Sequence, residues 1–293
     1  MVAIAAVRKA LERQAPEYAD LEVSQLSRSS GTDNHIFKLG DDFCVRIPAN
    51  AGAARQLKKE VEYLPYMQRL PLRVPEPILS GRATSELGFD WAIYAWVDGR
   101  DLLHEPAPSS QALAGPLSEF LKALWAIDPA NGPLAGDQNH HRGVALSERD
   151  QLTRGAIQTI RDEIPEDVLT KIWSVALAVD PFAGAPKWLH GDLHPANLIA
   201  KEGELSGIID WGLMGLGDLA VDLMPAWSLL SPHARIYFRQ ATEVDDATWN
   251  RGRGWALSVS AIAYAYYRDR PDYWLNAVSL KTLNQLVDEV DAS

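Results

Sequence analysis

Hydrophobic residues in the first hundred positions fall mainly into short runs of strand length. Several of these runs alternate with polar residues or are rich in β-branched and aromatic side chains, which is typical of strands. The strand-like segments are residues 21–26, 35–39, 43–48, 78–80 and 89–99. Two other stretches, residues 2–15 and 53–69, indicate helices, and the first places Ile4, Val7 and Leu11 on one stripe. The pattern predicts antiparallel strands accompanied by one important helix.

After Gly99 the pattern becomes mainly helical. Apolar residues recur at the 3.6-residue spacing of a helix behind Ser109 or Ser110, either of which can cap its start. Further helices are predicted over residues 148–179 (one or two), 219–229, 254–268 and the C-terminal end. The exception is a predicted hairpin of two strands, residues 198–200 and 206–209.

Polar residues with a suggestive spacing flank this hairpin. Asp192 is followed five positions later by Asn197, and thirteen positions beyond that by Asp210, within Asp-Trp-Gly. This spacing matches the catalytic loop and the metal-binding loop of kinases, in which one carboxylate orients the acceptor hydroxyl and two oxygen ligands hold Mg²⁺. The hairpin is expected to bring Asn197 and Asp210 to the same end of its strand pair.

Other interpretations of these residues remain open. His-Gly-Asp is also an ordinary turn, and Asp210 is also a plausible helix cap. A zinc hydrolase would use His190, Asp192 and His194 as ligands, but would leave Asn197 and Asp210 without roles. A pseudokinase that binds nucleotide without turnover usually lacks one of the three kinase residues, and all three are present.

The chain resembles the aminoglycoside phosphotransferases, a family with choline-kinase-like and macrolide-kinase relatives. The resemblance is carried by residues 188–199 (WLHGDLHPANLI), 209–212 (IDWG), 217–218 (GD) and 222–223 (DL). The sequence departs from the family pattern at Leu219, where proline is usual, and at Trp211, where phenylalanine is more frequent. The resemblance is specific for the family and not for the substrate.

The resemblance implies an α+β fold, bilobal and protein-kinase-like. Residues 1–96 would form an N-terminal nucleotide-binding lobe with an antiparallel sheet and a helix, and residues 97–293 a larger, mainly helical lobe for catalysis and substrate binding. The implied reaction moves the γ-phosphoryl group of ATP or GTP, with Mg²⁺, to a hydroxyl of an aminoglycoside-like antibiotic. A metabolite alcohol, a sugar or a macrolide is the alternative acceptor. Asp192 would be the catalytic residue, and Asn197 and Asp210 the metal ligands.

The resemblance also assigns nucleotide-binding residues in the first lobe. Ser30 and Gly31 belong to a turn cluster expected to lie over the phosphates. Arg46 stands where a kinase lysine is usual, and an arginine grips phosphate oxygens bidentately. Its expected partner is a helix glutamate, Glu60 by the family pattern, with Glu62 left open.

The purine is expected to meet the strand that ends in the turn at Gly99. By resemblance, Ala95 and Val97 supply backbone contacts to the purine edge, and Tyr94 lies at the rear wall, where its bulk favours guanine over adenine. The neighbouring Trp91 and Trp96 are expected to be core residues.

Composition limits the classes of binding partner and the cellular location expected for the protein. Lys and Arg number 28 against 39 Asp and Glu, a net charge of −11, which argues against a nucleic-acid partner and weakly favours a cationic small-molecule substrate. The single cysteine, Cys44, excludes an internal disulfide and fits a cytoplasmic location. No segment reads as a membrane span, and residues 1–9 lack the basic-then-apolar order of a signal peptide. The expected assembly is a monomer or a homodimer.

Three further expectations concern structural roles. Asp218 is expected to tie down the backbone of the catalytic loop. The loop from residue 129 to 144, with Arg142 and two histidines, reads as solvated. Asp288 and Glu289 are predicted to lie on a solvated acidic face of the terminal helix.

Overall fold

The computed structural model describes residues 2–26, 33–104, 108–129 and 131–291. The chain divides into two compact units. The first contains Met1–Asp98 and Gly207–Gly212, and the second contains Gly99–Ser206 and Leu213–Ser293. The predicted division into functional lobes after residue 96 stays a prediction.

The first unit is built on a five-stranded antiparallel sheet in the order β1-β2-β3-β5-β4. Its strands are β1 (Val23–Gln25), β2 (Asn34–Leu39), β3 (Phe43–Pro48), β4 (Pro77–Gly81) and β5 (Trp91–Ala95). Two helices accompany it, α1 (Ile4–Gln14) and α2 (Ala51–Tyr63). A tight turn joins β2 to β3, and in it Gly40 has a φ of 56° that suits glycine.

The core of the first unit forms between α1 and the sheet. The helix contributes Val7 and Leu11, and β2 contributes Phe37 and Leu39, all buried. The helix predicted over residues 53–69 ends early, at Tyr63, and continues only as a 3₁₀ turn, Leu64–Met67. Pro65 explains the change, because proline has no N–H to continue the α-helical hydrogen bonds.

The second unit is mainly helical. Its helices are α3 (Ser110–Ala126), α4 (Asp150–Thr159), α5 (Glu166–Ala178), α6 (Pro225–Ser228), α7 (Pro232–Thr242), α8 (Asp246–Tyr267) and α9 (Trp274–Asp291). Its strands are β6 (Arg100–Asp101), β7 (Lys187–Leu189), β8 (Leu198–Lys201), β9 (Glu204–Ile208), of which the last two residues belong to the first unit, and β10 (Gly215–Gly217). Strands β6, β8 and β9 form one sheet and β10 pairs with β7. With this sheet-plus-helix first unit and helical second unit, the α+β prediction is confirmed.

Helix starts in the second unit follow capping chemistry. Ser109 accepts a hydrogen bond from the Ala112 N–H and begins α3, and Asp245 accepts one from Thr248 and begins α8. Helix α8 therefore includes most of the apolar segment predicted over residues 254–268 and extends back to Asp246, and it packs against α4, α5 and α9. The single helix predicted over residues 219–229 is wrong. The segment forms a 3₁₀ turn and the one-turn α6, which begins at Pro225.

Two composition-based expectations concern single features. Cys44 is buried in β3, as expected for a core residue. Across the parts of the chain that the structure describes, each helix is too short or too polar to cross a bilayer.

Packing between β4 and β5 gives a stability prediction. Gly81→Ala would place a methyl group about 2.1 Å from the buried indole of Trp91, and overpacking of this kind costs roughly 1–3 kcal/mol. The control is Gly155→Ala in α4, whose methyl group meets no atom within 4 Å and gains up to about 1 kcal/mol of helix propensity. Unfolding midpoints in urea should therefore move in opposite directions. Equal midpoints would contradict this packing.

Candidate active site

The loop that follows β7 carries Asp192, and a buried carboxylate holds its backbone in place. Asp222 accepts hydrogen bonds from the N–H groups of His190 (2.9 Å) and Gly191 (2.7 Å). Burial raises the pKa of Asp222 to about 7. The two N–H donors act against this rise because they favour the ionised form, whereas the negative charge of Asp192 contributes to it. Gly191 adopts a φ of 80°, a conformation that suits glycine. The backbone of the loop is thus fixed at the two residues that precede Asp192.

The sequence assigned this anchoring role to Asp218, and that assignment was wrong. Asp218 instead accepts from Arg251 Nε at 2.7 Å and caps the 3₁₀ turn through the Ala220 N–H. Asp218 and Asp222 lie one helical turn apart in sequence, so only the register of the turn decides which of them meets the loop.

Asp192 remains partly accessible, with 24% of its side chain exposed. His194 Nε2 lies 3.3 Å from its Oδ2, and Arg142 Nη2 lies 3.5 Å from its Oδ1. Burial would raise the pKa of Asp192, but these two neighbours outweigh it and hold the pKa below its usual value. Asp192 is therefore an ionised carboxylate at neutral pH. Arg142, expected in a solvated loop, is a neighbour of this carboxylate that the sequence did not reveal.

Asn197 is oriented by the same loop. It ends the short 3₁₀ turn that begins at Pro195, and its amide nitrogen donates to the main-chain carbonyl of Asp192 at 2.9 Å. Because a carbonyl can only accept, the amide nitrogen faces Asp192 and the amide oxygen points away from it. That orientation leaves the amide oxygen of Asn197 as the atom that can bind a cation.

The zinc-hydrolase interpretation does not fit this loop. His190 is fully buried and its Nδ1 accepts the Asp192 N–H at 3.2 Å, so the ring supports the backbone. No three His, Cys, Asp or Glu side chains converge as a metal site among the described residues. His190 thus has a structural role in the loop.

A buried ion pair lies in the first unit. Arg46 on β3 places Nη1 2.8 Å from Glu60 Oε2 on α2, and Tyr94 donates its hydroxyl to the same oxygen at 3.3 Å. Glu62 is exposed, so Glu60 is the partner. Arg46 Nε and Glu60 Oε1 have no hydrogen-bond partner within the described part of the chain. The pair thus has one N–H donor of Arg46 and one carboxylate oxygen of Glu60 without a hydrogen-bond partner among the described residues.

Asp210 belongs to the same unit and extends this pair. Its Oδ1 lies 3.8 Å from Arg46 Nη2, and about half of its side chain (52%) is exposed. Burial disfavours a cation, but Glu60, Tyr94 and Asp210 together raise the pKa of Arg46, which keeps its charge. Asp210 also has a φ of 61°, which is uncommon outside glycine and is found at functional positions.

The predicted purine-contacting strand is partly committed to the sheet. The Ala95 N–H donates to the Glu76 carbonyl at 2.9 Å, which leaves only the Ala95 carbonyl for a purine. Trp91 is buried as expected, whereas Trp96 is partly exposed and lies under the Lys38 ammonium. The Val97 side chain lies close to Gly207. Ser30 and Gly31 lie outside the described residues.

Comparisons with known proteins identify the family to which the chain belongs. The model of the phosphotransferase enzyme family matches residues 24–255, which is well over half of the chain. The chain belongs to this phosphotransferase enzyme family. The resemblance seen in the sequence is thereby confirmed, and the match includes both the Arg46–Glu60 pair and the Asp192 loop.

Curated relatives that match the chain include aminoglycoside 3'-phosphotransferases. One from Escherichia coli and one from Salmonella typhimurium are each 27% identical to it over 169 residues. Each alignment covers 55% of this chain and 61% of the relative.

Solved structures show the same fold. The GDP and kanamycin complex of APH(2")-IIIa has a TM-score of 0.69 at 18% identity, over 97% of this chain and 98% of that chain. The macrolide 2'-phosphotransferase MphH from Brachybacterium faecium has a TM-score of 0.63 at 19% identity, over 96% and 97% of the two chains.

The buried ion pair gives a second stability prediction. Glu60→Gln is expected to destabilise the protein by roughly 3–5 kcal/mol, because Arg46 would stay buried with its charge largely uncompensated. Adding Arg46→Met should recover most of the loss, since no buried charge remains. The control is Arg82→Gln, which breaks the exposed Arg82–Asp90 pair (3.2 Å) and should change stability by less than about 1 kcal/mol. Urea unfolding measures all three, and a double variant no more stable than Glu60→Gln would refute the pairing.

Proposed function

We propose that this protein transfers the γ-phosphoryl group of ATP or GTP to a hydroxyl of an aminoglycoside-like antibiotic, with Mg²⁺. The observation that carries the proposal is the buried Arg46–Glu60 pair with Asp210 beside it. A buried arginine fixed by a helix glutamate is what phosphate binding needs at this position of a kinase fold. Family membership supports phosphoryl transfer, and the names of the curated relatives support the antibiotic acceptor.

Asp192 would orient the acceptor hydroxyl. Its lowered pKa makes it a weak base, so it serves better as a hydrogen-bond acceptor that aims the hydroxyl than as a group that removes the proton early. Phosphoryl transfer through a loose transition state asks for this, because the nucleophile needs positioning more than full deprotonation.

Mg²⁺ would be held by the amide oxygen of Asn197 and the carboxylate of Asp210. Both are hard oxygen donors, and Mg²⁺ commonly takes one or two protein ligands and completes its shell with phosphates and water. The amide orientation of Asn197 and the exposure of the Asp210 carboxylate fit this role. The ion would neutralise the charge of the nucleotide phosphates.

The remaining nucleotide contacts follow the family pattern. Arg46 would bind phosphate oxygens while Glu60 keeps its guanidinium in place. Ser30 and Gly31 would cover the phosphates. The Ala95 carbonyl and the Val97 N–H would meet the purine edge.

A second acceptor class is favoured by a row of aromatic rings in the second unit. The Trp274 ring lies 4.9 Å from the ring of His194, beside Asp192, and Tyr273 and Tyr267 continue the row. The Arg270 guanidinium lies over the last two rings. Apolar sugar faces stack on such rings, so a macrolide, a sugar or another metabolite alcohol is the second candidate.

The test is nucleotide consumption with Mg²⁺, using ATP and GTP separately, against aminoglycosides, macrolides, sugars and amino alcohols. Asp192→Asn is expected to lower acceptor-dependent turnover by about 10²–10⁴-fold and to leave nucleotide binding unchanged, because Asp192 does not touch the nucleotide in the proposal. Asp162→Asn makes the same chemical change at a carboxylate that is 91% exposed and should leave turnover at the wild-type level.

Each outcome separates the candidates. Acceptor-dependent turnover by wild type supports phosphoryl transfer and identifies the acceptor class and the purine. Nucleotide binding without turnover on every acceptor would point to the pseudokinase. Absence of nucleotide binding, or an Asp192→Asn variant as fast as wild type, would overturn the assignment.

A further inference from the structure

The loop before α4 has an unusual backbone. His140 and His141 have φ values of 52° and 56°, and Gly143 has a φ of 85°. Left-handed conformations are uncommon outside glycine, so two consecutive non-glycine residues in this region are unfavourable on their own. The rest of the structure must hold this segment in place.

A buried asparagine does so. Asn139 is fully buried, and its side chain accepts from the Gly136 N–H at 3.0 Å and donates to the Arg142 carbonyl at 2.8 Å. The Arg142 N–H also donates to the Asn139 carbonyl at 3.1 Å. The tight turn therefore fixes the backbone of one residue in particular, Arg142.

The side chain of Arg142 lies against the loop that carries Asp192. A Cβ atom added to Gly191 would lie 3.1 Å from Arg142 Cβ, so the arginine stem packs directly on that glycine. Its Nη2 lies 3.5 Å from Asp192 Oδ1, and only 14% of the side chain is exposed. Nη1 is buried and has no hydrogen-bond partner within the described residues. Arg142 is thus withdrawn from water beside one oxygen of the carboxylate.

The position of Arg142 lets its positive charge act on two carboxylates. Two carboxylates, Asp192 and Asp222, repel each other across the loop, and this repulsion adds to burial, the main cause, in raising the pKa of Asp222. Arg142 attracts both of them. Without the cation, the buried Asp222 and the partly exposed Asp192 would face each other as like charges, and the Asp192 carboxylate would lose one of its two flanking partners.

We propose that Arg142 is a positioning residue for phosphoryl transfer, which fixes the Asp192 carboxylate and offsets its repulsion with Asp222. The inference rests on the proposed function. His194 lies beside Oδ2 of Asp192 and Arg142 beside Oδ1, and the acceptor hydroxyl would bind to the exposed part of this carboxylate. Loss of Arg142 lets the carboxylate rotate and misaligns the hydroxyl that it orients.

The kinetic test compares Arg142→Gln and Arg142→Lys with wild type. Misplacement of a reacting group by about 1 Å can lower turnover by about 10²-fold, so Arg142→Gln should lower kcat to about that extent while KM for the nucleotide stays at its wild-type value. Arg142→Lys should recover part of kcat, because lysine restores the charge without the planar fork. The control is His141→Asn in the same turn, which loses the contact with Asp137 but tolerates the left-handed backbone. It should leave kcat unchanged.

A second measurement separates this inference from the proposed function. Urea midpoints of Arg142→Gln, Asp192→Asn and the double variant form a cycle that needs no substrate. Arg142→Gln should lower the midpoint, and Asp192→Asn added to it should restore part of the loss by removing the repulsion with Asp222. Additive midpoints would overturn the pairing of Arg142 with Asp192, as would an unchanged kcat in Arg142→Gln. If the wild-type protein phosphorylates none of the acceptors, only the proposed function is rejected, because the urea midpoints test the pairing of Arg142 with Asp192 without a substrate.

Discussion

A carboxylate that leaves water has to find donors or cations, and this requirement shapes the chemistry-bearing parts of the protein. In the second unit, Asp222 receives two main-chain N–H groups, and Asp192 receives a histidine and an arginine. In the first unit, Glu60 receives an arginine and a tyrosine hydroxyl. The hydrogen bonds that satisfy these charges also set the positions of the loops and side chains, so electrostatic compensation and geometric order are the same feature here.

Much of this arrangement was predictable where it depends on local spacing. The strands of the first unit follow from alternation, and the start of α3 follows from Ser109, whose side chain satisfies a helix N–H. The spacing of Asp192, Asn197 and Asp210 pointed to a phosphotransferase before any fold was known. Glu60 was favoured over Glu62 by the family pattern alone, and the phase of α2 agrees, because only Glu60 faces the sheet.

The errors share a physical origin. Asp218 and Asp222 are four residues apart and chemically identical, so the sequence does not say which one meets the loop. Arg142 reaches Asp192 from fifty positions away, through a turn whose conformation no periodicity encodes. The helix expected over residues 219–229 is divided by Pro225, a local signal that the apolar pattern had concealed.

The discontinuity of the first unit has a consequence for how the chain folds during its synthesis. Residues Gly207–Gly212 belong with Met1–Asp98, although more than a hundred residues separate them in the sequence. At about 5–20 residues per second, the ribosome synthesises the strands of the sheet and α2 several seconds before the segment that carries Asp210. Until then Arg46 has Glu60 but lacks its second carboxylate. Domains usually fold as they emerge, but this unit is complete only when its last segment has been made.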